Sequence, residues 1–237
     1  MTEIELGNIS IEVDQKDIKN IHLSIYPPHG RVRIAAPERM DLDTIRVFAL
    51  SKIKWIKKQQ ASFKDQAREA PREYLTKESH YFKGKRYLLK VIERDEKPEV
   101  VLKHNKIELY LRPNTSAAKS KAIMDEWYRA ELKKTLPKMI EKWEKKIGVQ
   151  ANDFGIKKMK TKWGSCNTEA KRIWLNLELA RKPVACLEYI VVHELVHLLE
   201  RSHNERFVKL MNKYMPKWRF YREELNRLPF SHLDWKY

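Results

Sequence analysis

His193-Glu194-Leu195-Val196-His197 lies near the C-terminal end of a 237-residue chain, and His203 follows six residues after the second histidine. Spacing of four on an α-helix puts two imidazoles on one face. Their Cβ atoms are then about 5–6 Å apart, close enough to share a metal ion at about 2.0–2.1 Å. Glu194 points along the flank, where it can act on a metal-bound water instead of binding the metal itself. Pro183 suits the first position of a helix carrying this stretch. On that helix Leu187, Val191, Leu195 and Leu198 fall on one side, and His193, His197 and Cys186 on the other. The blander alternative is a buried helix holding two core histidines.

His203 adds a geometric condition. If the helix ran on unbroken, the third imidazole would sit about 240° around the axis from His197 and could not reach the same ion. The helix is therefore expected to stop between Leu199 and Ser202. Ser202 and Glu205 form an S-x-x-E capping box, which predicts Ser202 as the cap and His203 as the first residue of a new helix. Phe207, Leu210, Met211 and Tyr214 continue that helix at the right spacing. Three ligands, His193, His197 and His203, leave one tetrahedral position of a zinc ion open, which marks a catalytic rather than a structural site. One Zn2+ per chain is expected.

The stretch from His193 to His203 has HExxH-x5-H spacing. Taken with Trp163-Gly164-Ser165-Cys166, Leu175-Asn176-Leu177-Glu178-Leu179 and His203-Asn204-Glu205-Arg206-Phe207, the chain resembles the YgjP-like metal-dependent hydrolases, zincin relatives akin to the SprT-like and WLM peptidases. The resemblance runs from Ile21 to Leu228 and is densest between Trp163 and Phe207. It implies that His193, His197 and His203 ligate the metal and that Glu194 is the general base. Metzincins share the histidine spacing but place Gly where Glu200 stands, which argues against a metzincin and leaves the bend to be made without glycine.

Length and composition set the frame. A chain of this size can bury a sizeable core without disulfides, and Cys166 and Cys186 are too few for a disulfide framework. With no apolar leader after the start, a cytoplasmic setting is expected. No run of about 18 apolar residues is present, so no membrane partner is expected. Lys and Arg number 49 against 32 acidic residues, a formal charge of +17. That excess favours anionic partners, nucleic acid or nucleotide among them. Much of it falls on solvated helix faces, such as Lys133, Lys134 and Lys138.

The expected fold class is α+β. Residues 1–115 form an N-terminal β-rich scaffold lobe with a helix, and residues 116–237 form a zincin-like helical lobe with a short β-sheet beside the HExxH helix, the two making one compact unit. Ile9, Ile11 and Val13, then Ile21, Leu23 and Ile25, then Val32 and Ile34 after the turn Pro27-Pro28-His29-Gly30 read as strands, and Pro37 ends the sheet segment. A helix is predicted from Asp41 to Phe63 and a connector from Lys64 to Arg72. Extended segments follow over Tyr81–Val91, Val100–Lys103 and Ile107–Leu111. Ser116 opens a long helix that Pro137 kinks or splits and Gly148 ends. Phe154–Met159 and Ile173–Leu179 are expected strands, and Pro216 starts a final helix. His232 and Asp234, in the tail, receive no role.

The strand before the metal helix suggests substrate contacts, because an exposed strand edge holds an extended substrate by main-chain hydrogen bonds. Trp163, Gly164, Ser165 and Asn176 are the candidates, with a turn that merely buttresses the helix as the alternative. The function expected is a zinc-dependent metallopeptidase. One alternative is a metal-dependent hydrolase of another anionic substrate, including a nucleotide phosphoanhydride. The other is a DNA-associated protease or binding module.

Overall fold

The computed structural model describes residues 2–26, 30–65, 72–159 and 162–227. The expected turn at Pro27–His29, most of the connector between Lys64 and Arg72, and His232 and Asp234 lie outside them. The described residues form six α-helices, one 3-10 helix and three small sheets, a mixed α+β architecture.

The chain divides into two compact units, Met1–Ala67 and Arg68–Tyr237. The boundary expected at 115/116 falls inside the second unit, because the strands before it share a core with the helices after it. In the first unit β1 (Thr2–Leu6), β2 (Ile9–Lys16), β3 (His22–Tyr26) and β4 (Arg31–Pro37) form a sheet in the order β1-β2-β4-β3. Its outer pairs are antiparallel and its central pair parallel. Strict alternation buries Ile9, Ile11, Val13, Val32, Ile34 and Ala36 on one face. Ile45, Ala49 and Ile56 close over that face from α1 (Leu42–Ser51) and α2 (Ile53–Asp65). The helix expected as one piece is broken at Lys52, whose backbone N–H turns back to the carbonyls of Ala49 and Leu50.

The second unit opens with β5 (Ser79–Phe82), β6 (Lys85–Glu93), β7 (Glu99–Leu102) and β8 (Lys106–Leu111), ordered β5-β6-β8-β7. Here too the outer pairs are antiparallel and the central pair parallel. α3 (Ala117–Ile147) is capped by Ser116 and ended by left-handed Gly148. It runs 31 residues through Pro137 without splitting. Buried Met124, Tyr128, Leu132, Leu136, Ile140 and Trp143 give it a continuous apolar stripe, and that packing outweighs the one backbone hydrogen bond a proline forfeits.

The third sheet combines β9 (Asp153–Lys157), β10 (Gly164–Asn167) and β11 (Arg172–Asn176) in the order β10-β11-β9, leaving β10 at an edge. The strand expected to reach Leu179 stops at Asn176, whose side chain accepts from the Glu178 N–H and starts the 3-10 helix Leu177–Arg181. Then come α4 (Val184–Val196), α5 (Glu205–Tyr214) and α6 (Trp218–Arg227). Pro183 is the cap residue of α4 rather than its first helical residue. α4 packs against α3, α5, α6, β10 and β11, and each large apolar side chain it buries is worth about 1.5–3 kcal/mol. Glu188 ties it to α3 by accepting from Trp143 Nε1 at 2.8 Å and Lys142 Nζ at 2.7 Å.

Candidate metal centre

α4 is buried on nearly every side, with Leu187, Ile190, Val191, Val192, Leu195 and Val196 all in the core. It ends at Val196, earlier than the range Leu199–Ser202 expected from the ring-reach condition. The next residues tighten into a turn: Leu198 N–H bonds Leu195 O at 3.0 Å, and Leu199 and Glu200 N–H both bond Val196 O, at 2.9 and 3.0 Å. No glycine takes part. His197 Nδ1 lies 3.0 Å from the Glu200 carbonyl. A carbonyl can only accept, so Nδ1 carries the proton and Nε2 keeps its lone pair free. Asn204, not Ser202, caps the next helix, its Oδ1 taking the Phe207 N–H at 3.0 Å. Ser202 instead gives its N–H to the Glu200 carboxylate at 3.1 Å, so His203 sits in the bend just ahead of the cap.

This bend brings the three imidazoles together. His193 Nε2 lies 3.2 Å from His197 Nε2 and 3.0 Å from His203 Nε2, and all three ligand atoms fall within 4.8 Å of one another. Nitrogens bound at about 2.0–2.1 Å to a tetrahedral ion stand about 3.3 Å apart, so the donor set fits a divalent cation. Phe207, from the first turn of α5, packs on all three rings, with centroid separations of 5.0, 4.7 and 4.8 Å from His193, His197 and His203. Tyr189 meets His193 edge-on from one turn earlier in α4, at 5.9 Å. These contacts orient the His193 ring, whose Nδ1 is buried with no hydrogen-bond partner among the described residues.

Electrostatics agree with the geometry. Burial, then the neighbouring His197 and His203, push His193 down to about 3, which holds it neutral, as a metal ligand must be. Burial also lowers His197. Glu194 is 4% exposed, and burial lifts its carboxyl to about 8, against a smaller opposing pull from Lys162. A cation among the imidazoles would supply the opposite charge this carboxylate lacks. Gly164 at the start of β10 makes room for Glu194: a Cβ there would stand 2.5 Å from Glu194 Oε1.

A cleft of about 620 Å³ opens over the group, lined by Trp163, Gly164, Ser165, Tyr189, Glu194 and the three histidines, among others. The sequence profile described as a YgjP-like metallopeptidase domain matches residues 19–228. The chain belongs to the YgjP-like family. No curated protein matches it. Among solved structures it is similar to the metallopeptidase zymogen of Pyrococcus abyssi abylysin, at 19% identity and a TM-score of 0.35, over 37% of this chain and 89% of that one. It is also similar to the metallopeptidase zymogen of Methanocaldococcus jannaschii jannalysin, at 21% identity and a TM-score of 0.33, over 37% and 90%.

In this YgjP-like chain Trp163, Gly164 and Ser165 line the cleft, and Asn176 does not. Asn176 is 2% exposed, and its amide nitrogen donates to Met159 O at 2.9 Å and Lys162 O at 2.8 Å. It anchors the segment leading into Trp163. Cys166 lines the cleft, its thiol pushed up to about 11 by burial and then by Glu194. Cys186 is fully buried, and both cysteines are free. Sequence reasoning assigned no site role to Phe207, Tyr189, Lys162, Arg201 or Arg222, all of which touch the histidines or line the cleft. Tyr189 carried a usable signal, lying four residues before His193 on one helix.

Proposed function

We propose that the chain is a zinc-dependent peptidase in which His193, His197 and His203 hold the metal and Glu194 is the general base. Membership of a metallopeptidase-domain family makes metal-dependent hydrolysis the coarse reading. The observation that supports the finer one is the convergence of three Nε2 atoms beside a carboxylate at the floor of an open cleft. A zinc ion held there would supply Lewis acidity, polarising the scissile carbonyl and bringing the pKa of water from about 15.7 to near 7. Glu194 then takes a proton from the attacking water and hands it to the leaving amine. The edge of β10 offers main-chain groups to an extended peptide, while Gly164 keeps Glu194 free to move its proton. We read the second unit as the zincin-like part of the molecule. The two free thiols accord with a reducing, cytoplasmic setting. Among the described residues no helix is long and apolar enough to cross a membrane.

Elemental analysis of the purified chain, paired with hydrolysis of a peptide panel, tests this. Glu194→Gln should retain about one zinc per chain and lose most turnover, on the order of 100-fold or more. Gly164→Ala should behave alike by displacing the carboxylate. His203→Ala should lose zinc, and full occupancy in that variant would remove His203 from the ligand set. A second reading, hydrolysis of a nucleotide phosphoanhydride or another anionic non-peptide substrate, is favoured by the cationic side chains in the cleft. It is separated by adding nucleoside triphosphates to the panel.

A further inference from the structure

We propose that Lys162, Arg201 and Arg222 make the cleft selective for acidic peptides, with an Asp or Glu side chain placed beside the scissile bond. The inference rests on the peptidase reading and names its substrate class. The three cations come from separate pieces of the second unit. Lys162 leads into β10, Arg201 lies in the bend between the histidines, and Arg222 is on α6, yet all three line one cleft. Each is exposed, and none has an acidic partner among the described residues. Other cations of the second unit do pair with carboxylates: Arg181 bonds both oxygens of Glu178, Arg94 reaches Glu96 and Glu99, and Lys142 reaches Glu188.

The cleft's lining holds one carboxylate, Glu194, which the proposed chemistry occupies. The cations are therefore left to face the substrate. All three line the same cleft as His193, His197, His203 and Glu194, so the negative charge they favour lies in the compartment that would hold the reacting bond. The apolar members of the lining, Trp163, Tyr189, Ile190 and Leu225, offer contact surface to the rest of a peptide. Cations at the mouth of a cleft discriminate between partners and speed encounter, and exposed ones do so in a way that salt weakens.

The test uses the full, zinc-loaded chain and three matched peptides carrying Glu, Gln or Lys at the position flanking the cleaved bond. kcat/KM should favour Glu over Lys by about 10-fold or more, mainly through KM, and the preference should shrink as salt rises. Arg222→Gln should collapse the Glu-to-Lys ratio to within about 2-fold while zinc content stays constant, with Arg201→Gln and Lys162→Gln having smaller effects of the same sign. Binding to the zinc-loaded Glu194→Gln chain, followed by fluorescence anisotropy, provides a readout that needs no turnover. Equal hydrolysis of all three peptides overturns the proposal and leaves the peptidase reading intact. Failure to cleave any peptide, with Arg222-dependent binding of the Glu peptide retained, supports the acidic preference and removes the peptidase reading. Arg222-dependent binding of a nucleoside triphosphate in preference to the Glu peptide overturns the proposal in favour of a phosphate-bearing substrate.

Discussion

The sheets β1-β2-β4-β3 and β5-β6-β8-β7 share a strand order and an antiparallel, parallel, antiparallel sequence of pairings. Each begins with a two-residue hairpin turn, Gly7-Asn8 in one and Lys83-Gly84 in the other. Each leads into a helix capped by a side chain, Asp41 or Ser116. The same arrangement therefore occurs twice, and the second copy leads on to the helix that carries His193 and Glu194. In that copy the capped helix is extended to 31 residues, and its added turns, with Leu136, Ile140 and Trp143, give α4 a wall to pack on. The turn of the second copy also docks: Lys83 N–H bonds Ala180 O at 2.9 Å and Gly84 N–H bonds Arg181 O at 3.2 Å. A hairpin pair with a helix is thus a platform, and function depends on what is built against it.

The largest contrast should come from charge. Arg181 and Glu178 form an ion pair beneath the metal helix, 8% and 3% exposed, whereas Asp14 pairs with Arg33 and Lys16 on the more open first sheet. Glu178→Gln leaves the buried Arg181 guanidinium with only the longer contact to Asp125, at 4.0 Å, and should cost up to about 3–5 kcal/mol of stability. Asp14→Asn should change little. Urea unfolding combined with segment-resolved hydrogen exchange checks both, and comparable losses from the two variants would break the contrast. Next come the turns. A Cβ at Gly7 meets nothing within 4 Å, while one at Gly84 would stand 2.9 Å from Pro183 Cα. Gly7→Ala should show only the left-handed penalty, about 1–2 kcal/mol. Gly84→Ala should add to it and weaken zinc retention, because Pro183 caps the metal helix; zinc affinities that match between the two would show that the docked turn does not support the site.

The last contrast concerns pH. His80, three residues before its hairpin turn, is fully buried between Arg72, 2.8 Å from Nδ1, and Glu78, 3.0 Å from Nε2. The matching place in the first copy holds Ile4. Burial, then Arg72 and Arg181, push His80 down from 6.5 to about 3. The folded chain then binds this proton more weakly than the unfolded chain does. The contribution is complete above about pH 6.5 and is lost as pH falls toward 3, by up to about 1.4 kcal/mol per pH unit. His80→Leu should flatten that part of the stability profile relative to wild type, as read from urea midpoints between about pH 4 and 6.5. An unchanged slope would exclude His80 as its source.

Periodicity made β2, β4, β8 and α3 legible, because alternation and helical stripes are local properties of Ile9-Ile11-Val13 or Met124-Tyr128-Leu132. The repeated strand order was not legible. Pairing is a long-range matter, and the two copies bury different side chains at matching places, His80 against Ile4 for one. His193, Glu194 and His197 were visible because one helix and its cap fix their spacing, and His203 because its offset from them required a bend. The cap at Asn204 was missed because Ser202-x-x-Glu205 offers an equally good local pattern, and the Glu200 carboxylate took the Ser202 N–H instead. Asn176 was misplaced for a related reason: a strand-end amide serves a backbone or a ligand equally well until burial decides. Arg222 comes to the cleft through the packing of α6 on α4, which no local spacing encodes.

Phe207 beneath the three imidazoles has a consequence for how the protein acquires its ion. Where a small domain depends on its metal to fold, chelation unravels it; here an aromatic ring and a helix embedded in hydrocarbon set the rings in place by themselves. Stripping and reloading should therefore be reversible operations on a chain that keeps its shape, with capture governed by how fast an ion reaches a ready-made seat.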